Sequence, residues 1–364
     1  MALWELDEFS TAQFLGFIRN LPEPQSYLGA GWLPNLPVFD LEFEYIMGAT
    51  NRPVMAHVMG FDAEAPIGGR PGRGETVRGE LPPIKRKLRI GEKTLIRFLN
   101  PRMGTPDQQL AVDQVFEDAS DLVASIQARV EWLRMQALSA DTVIYDESGV
   151  KFEFDFGLND TQQITLGAAG ATDGAGDDVS DEFSVNWTDP EAEMLNDIVA
   201  LTDRVADNTG RRPAEYVVTR EVPRLMSKNA HAKAMYFGVG NEPDRPMTPS
   251  EVGNLLSQWN APSLTVYDVV LDKEEDDGSV SQVRPLAPGS TFMLPPGFST
   301  QNRTLWGPTA ESRILLGTPL ATSAPGVWAN TYATDEPPAE WVKAAAVAFP
   351  TMPEAHLIGQ MKVF

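Results

Sequence analysis

The stretch "GRPGRGET", residues 69–76, comes closest in this chain to a chemical motif. A phosphate-binding loop reads G-x-x-x-x-G-K-[ST], and Gly69, Gly74 and Thr76 stand in register with it. Glu75 occupies the lysine position, so a carboxylate would face phosphate where a cation should neutralise it. The flank disagrees as well: Pro82-Pro83 breaks the helix that such a loop must open. The stretch is therefore read as a glycine-rich basic loop with another role. The remaining chemistry is equally sparse. His57, His231 and His356 are far apart and cysteine is absent, so no zinc pattern forms. No G-x-S-x-G elbow is present. The acidic runs "LGAAGATDGAGDDVSDE" and "DKEEDDGS" lack calcium-loop spacing and read as solvated loops. No carboxylate pair stands out for hydrolytic work. The expectation is no catalytic, cofactor-binding or metal-binding residue.

Composition narrows the classes further. The 364 residues exceed one simple core, and 42% hydrophobic content with 17 Phe and 8 Trp supplies ample burial. No apolar run reaches the roughly 18 residues of a membrane span. The acidic N-terminus reads as a mature arm rather than a secretion signal, and the absence of cysteine suits reducing cytoplasm. Fifty-one acids against 29 bases give a formal charge of −22, which argues against DNA as a tightly held ligand. The charge is uneven. Bases dominate residues 65–102 and acids dominate 141–210. Two differently solvated faces would explain this, and so would one copy's basic loop meeting another copy's acidic face.

The elements that must carry these charges begin with an arm over 1–37, where Phe9, Phe14, Phe17 and Ile18 form a short amphipathic stretch. Alternation in "VFDLEFEYIMG", the turn "ATNRP", "VMAHVMGF" and "IKRKLRI" predict an up-and-back ribbon with its basic tip near 62–80. Such a ribbon cannot bury both faces alone. From 105 to 139, Val112, Val115, Phe116, Ala119, Leu122, Val123, Ile126, Val130, Leu133 and Ala137 follow helical spacing. Thr105 and Gln108 can form a capping box, with Pro106 at the first helical position. A hairpin follows in "TVIY", "DESG" and "VKFEFDFG". Over roughly 188–320 the pattern is mixed: a helix capped by Asp189 and closed by Gly210, "AEYVVTR" as a strand, and "EVPRLMSKNAHAKAMYF" and "SEVGNLLSQW" as helices. "SLTVYDVVLD", "STFMLP" and "SRILLGTPL" read as further strands. The tail reads as extended in "GVWANTYATDEPP" and "HLIGQMKVF", with a short helix in "AEWVKAAAVAF".

The order of these elements, with "ARVEWLRMQALSADTVIY", "FGLNDTQQITLG", "VNWTDPEAEMLNDI" and "GVWANTYATDEPPAEWVKAAAVAFPTMPEAHLIGQMKV", resembles tailed-bacteriophage major capsid proteins of the Hong Kong 97-type fold. The resemblance is greatest to the group similar to the phage lambda major capsid protein. It implies an α+β capsid fold: an arm over 1–37, an E-loop over 38–94, and a peripheral domain over 95–187 with spine helix 105–139. An axial domain over 188–320 and a C-terminal return over 321–364 would complete it. It also implies a virion shell protein, assembled in the host bacterial cytoplasm into pentamers and hexamers around double-stranded DNA that it encloses only loosely. Portal and scaffolding proteins, and a decoration protein in some relatives, would be its partners; no cofactor and no membrane are implied. The arm is too short for a fused scaffolding domain, so scaffold and protease would be separate proteins. Arg70, Arg73, Arg78, Lys85, Arg86, Lys87 and Arg89 are the candidate inter-subunit contacts, meeting acids of an adjacent copy. Lys85, Lys87 and Lys93 are placed where some relatives cross-link. An encapsulin-type compartment and a soluble acidic hydrolase are the alternative readings.

Overall fold

The computed structural model describes residues 16–18, 21–48, 75–91, 106–147, 150–190, 192–241, 243–275, 277–315, 326–335 and 338–364. The Gly/Arg stretch with Arg70 and Arg73, the turn "ATNRP", the strand expected in "VMAHVMGF", Lys93 and the cap at Thr105 lie outside them. The first elements are β1 (Asn35–Pro37), β2 (Glu42–Met47), β3 (Glu75–Glu80), β4 (Pro83–Ile90) and helix α1 (Pro106–Ser139). Next come β5 (Thr142–Glu147), β6 (Val150–Asp155), β7 (Gln163–Gly167), β8 (Gly170–Thr172), α2 (Met194–Thr209), β9 (Glu215–Val218), α3 (Glu221–Lys228) and α4 (Ala230–Phe237). After them follow α5 (Pro249–Gln258), β10 (Ser263–Val266), β11 (Leu271–Glu274), β12 (Val280–Val283) and β13 (Ser290–Leu294). The chain closes with β14 (Arg303–Gly307), β15 (Trp328–Asp335), β16 (Pro338–Thr351) and β17 (Gly359–Lys362). It divides into two compact units. One holds Met1–Phe43, Arg78–Arg134 and Arg303–Thr351; the other holds Glu44–Val77, Met135–Asn302 and Met352–Phe364.

The first unit is organised by β16, a 14-residue strand. β15 pairs antiparallel with its residues 338–345, β4 with 340–347 and β14 with 347–351, while β1 runs parallel to β14. α1, 34 residues long and so about 50 Å, runs without an internal Pro or Gly. Its Val115, Ala119, Leu122, Val123, Ile126 and Val130 bury against Val342, Ala344, Ala346 and Ala348 of β16. The alanine-rich run 339–349, expected to be a short helix, is therefore a strand. Alanine's helix preference is worth only tenths of a kcal/mol per residue, and strands on both edges override it. The small side chains of 344, 346 and 348 leave room for α1 to lie close.

Other expectations change too. "IKRKLRI" is not the returning arm of the ribbon: β2 pairs with β3, and β4 joins the sheet of β16. The described part of "SRILLGTPL" lies in a 3-10 turn, Ala310–Leu315, rather than a strand.

The second unit carries a six-stranded mixed sheet in the order β10-β9-β13-β17-β7-β8. Ile198, Leu201 and Val205 of α2, Val222 and Met226 of α3, and Leu255 of α5 share its core with Tyr216, Met293 and Met361. The acidic run from Leu166, expected to be a loop, begins as the β7–β8 hairpin at this sheet's edge. α2 begins at Met194, preceded by Glu193, and not at Asp189. Asp197, in its first turn, instead gathers the preceding segment: Ser184 N–H and Oγ–H donate to it at 2.6 Å, and Trp187 Nε1–H at 2.7 Å. Gly210 closes α2 at φ 74°, the left-handed conformation that glycine adopts without a Cβ clash. Thr248 and Glu251 form a full capping box on α5. Two hairpins, β5–β6 and β11–β12, form sheets of two strands each.

Candidate functional site

The basic run predicted to meet another copy lies mainly on β4, and strand alternation sorts it into two faces. Ile84, Leu88 and Ile90 pack on the core of the first unit, and Arg86 shares their row. Lys85, Lys87 and Arg89 point the other way and are exposed. They stand opposite Ala345, Lys343 and Trp341 of β16. Those in turn face Trp328, Asn330 and Tyr332 of β15. The result is one sheet face of cations interleaved with aromatic rings.

Its internal contacts are specific. Lys85 Nζ lies 3.2 Å from Glu311 Oε1, and Lys343 donates to the same oxygen. Partial burial raises the Glu311 carboxyl, but hydrogen bonds from Lys343, the backbone and Lys85 outweigh it and hold the group below the ordinary value. Lys87 Nζ sits 4.5 Å from the centre of the Trp341 ring, within cation–π reach. Tyr332 stacks on Trp341 at 6.4 Å between ring centres, and Trp341 Nε1–H donates to Thr334 Oγ1 at 3.3 Å. Arg89 forms no ion pair among the described residues. Arg78 lies on β3, paired with β2.

Of the predicted contact residues, Lys85, Lys87 and Arg89 thus share one face; Lys343, Trp341, Tyr332 and Glu311, which join them there, were not among those predicted. The signal for two of them was present. Trp341 and Lys343 alternate with buried Val342 and Ala344, a two-residue period that the buried alanines after them hide.

β2 and the residues leading into it have the opposite character. Phe39, Leu41 and Ile46 are 67%, 42% and 48% exposed, unusually open for such large apolar side chains. Asp40, Glu42 and Glu44 are interleaved with them. An acidic, apolar strand and a basic, aromatic sheet face thus occur on one chain.

A buried cluster anchors the segment before β1. Arg134 on α1, 1% exposed, donates from Nε to Thr304 Oγ1 at 3.0 Å and from one terminal nitrogen to Glu23 at 3.2 Å. Its other terminal nitrogen donates to Asn35 Oδ1. Glu131, fully buried, pairs with Arg134 at 3.4 Å and accepts from Gly29 N–H at 3.0 Å. A Cβ on Gly29 would stand 2.5 Å from Glu131 Oε2, so only glycine permits this approach. Among the described residues no group of acids and histidines could hold a metal ion, and no helix is long and apolar enough to cross a membrane.

Comparison with solved structures gives the architecture a context. A putative capsid protein of a prophage of E. coli CFT073 superposes with a TM-score of 0.60 at 14% identity, covering 97% of this chain and 99% of that one. A phage-related protein from Bordetella bronchiseptica RB50 gives a TM-score of 0.54 at 11% identity, with 96% and 95% covered. These likenesses establish the fold, the Hong Kong 97-type α+β capsid fold. No curated protein sequence matches the chain. The model of the family described as phage major capsid protein E matches residues 10–363, so the chain belongs to that family and is a shell-forming capsid subunit of a phage virion.

Proposed function

We propose that this subunit builds the icosahedral head of a tailed phage as pentamers and hexamers, enclosing double-stranded DNA without gripping it, and that it catalyses no reaction. The observation that carries this reading is the pair of complementary surfaces on one chain. The basic, aromatic face of Lys87, Arg89, Lys343 and Trp341 suits the acidic, apolar strand Phe39–Ile46 of another copy. Opposite charges add register and encounter rate, and the rings and exposed apolar side chains add buried area. Arg70, Arg73 and Arg78 would extend the same contact along the ribbon, in the role of an E-loop. Lys85 and Lys343 contribute less, because both already pair with Glu311 within their own chain. A formal charge of −22 fits a container that must not adhere to its contents. Assembly in the host cytoplasm, with separate scaffolding and portal proteins and a decoration protein where the shell needs one, completes the reading.

The test is charge reversal. Lys87→Glu with Arg89→Glu, and separately Arg70→Glu with Arg73→Glu and Arg78→Glu, should abolish closed shells while far-ultraviolet circular dichroism and the unfolding midpoint stay near wild type. Normal shells from both variants would overturn the proposed contact.

A further inference from the structure

The six-stranded sheet of the second unit ends at β10. Ser263 N–H donates to Ala214 O at 3.0 Å and Tyr267 N–H to Val218 O at 2.9 Å, on the β9 side. By strand alternation Leu264 and Val266 turn their N–H and C=O groups to the opposite side. Among the described residues no strand covers that edge. Edges are usually blunted by charge or proline, yet this one reads Ser-Leu-Thr-Val. Beside it runs a groove of about 680 Å³ between α3, α5 and β10, walled by Pro223, Met247, Val252, Leu256, Leu264 and Val266. Its one charged lining residue is Arg224, and Lys228 follows one turn later on α3. Neither forms an ion pair among the described residues.

The same unit carries a second incomplete element. Among the described residues β11 and β12 pair only with each other, and an isolated two-stranded sheet is marginal in water. Asp272 stands opposite Gln282 and Glu274 opposite Val280, so these four side chains share a face. All four are exposed, Val280 by 66%. No residue of the hairpin lines the groove.

We propose that the β11–β12 hairpin of one copy docks along the open edge of β10 in the next copy, extending the six-stranded sheet across the subunit boundary. Val280 enters the apolar groove, backbone groups of Leu264 and Val266 gain partners, and Asp272 and Glu274 meet Arg224 and Lys228. Groove and hairpin are different surfaces of one chain, so the contact is head-to-tail, the kind from which rings are built. This rests on the shell-forming role and names the contact that joins the second units within one ring.

The chain has no cysteine, so Val266→Cys and Val280→Cys introduce its only thiols. Shells of the double variant, bridged with a short bismaleimide and run on a denaturing gel, should give a ladder in steps of 39.9 kDa. Co-assembled single variants should stop at the dimer. Adding Arg224→Glu should cut the ladder severalfold, and Asp272→Arg in the same chain should restore it. Intact shells that yield only monomer bands, or a bridge within one chain, would overturn the proposal and leave the shell reading standing. Wild-type protein that forms no shells would instead count against the shell reading itself.

Discussion

Removing the Arg134 guanidinium should be among the most damaging single changes to the first unit. Arg134→Met keeps the side chain's length and apolar stem but deletes every donor. Glu131, fully buried, then loses its cation while keeping the Gly29 N–H hydrogen bond, and Thr304, Glu23 and Asn35 each lose the hydrogen bond from Arg134. Breaking a buried pair from one side costs about 3–5 kcal/mol, because the surviving charge stays desolvated. Unassembled subunit can be unfolded in urea and followed by tryptophan fluorescence. Trp306 is a local probe, since its Nε1–H donates to Asn35 Oδ1 at 2.8 Å within the same cluster. Arg134→Met should lose about 3–5 kcal/mol, whereas Arg134→Met with Glu131→Leu should recover most of it, since no fully buried orphan charge remains. A single variant that loses under about 1 kcal/mol, the range of an exposed ion pair, would refute the assignment of a buried anchor. A double variant weaker than the single would refute the electrostatic origin of the cost.

Three further outcomes are expected. In Gly79→Ala the new Cβ would stand 2.5 Å from Phe43 Cζ, whose ring stacks on Phe349 at 6.0 Å, so overpacking should cost about 1–3 kcal/mol in urea unfolding; a neutral result contradicts that packing. Gly210→Ala forces a Cβ into the left-handed cap at φ 74° and should lower stability by about 1–2 kcal/mol, with no change in shell architecture by microscopy. Burial raises the Asp197 carboxyl, and the hydrogen bonds from Ser184 and Trp187 only partly offset it. The folded state therefore holds that proton to higher pH than the unfolded chain does. Its contribution is fully present below the ordinary carboxylate range and declines as pH rises through the raised folded value. The stability of wild type relative to Asp197→Asn should fall over that interval, and a flat difference would contradict the assignment.

What could be read from the sequence follows the range of the interactions involved. α1 was legible because its apolar residues keep helical spacing without a breaker and Pro106 marks the first turn. Gly210 was a local signal of the same kind, whereas the Thr248–Glu251 capping box ahead of "SEVGNLLSQW" went unread. β16 was not, because alanine favours a helix in isolation and only β15, β4 and β14 make it a strand. The start of α2 was misplaced since Asp189-Pro190 imitates a cap, while Asp197 within the helix holds Ser184 and Trp187 instead. The basic face was half visible: its lysines cluster in sequence at 85–89, but Lys343 and Trp341 arrive through pairing with a strand some 250 positions away. The Arg134 anchor was invisible, as Thr304 lies 170 residues from it and Gly29 lies 102 residues from Glu131. Family resemblance succeeded where local propensity failed because the order of elements survives individual misreadings.

Negative-stain microscopy of the purified protein, with mass photometry on the same sample, measures the central claim directly. Uniform closed particles of megadalton mass are the predicted result. A homogeneous species of 39.9 kDa that stays monomeric with scaffolding protein present would contradict the account.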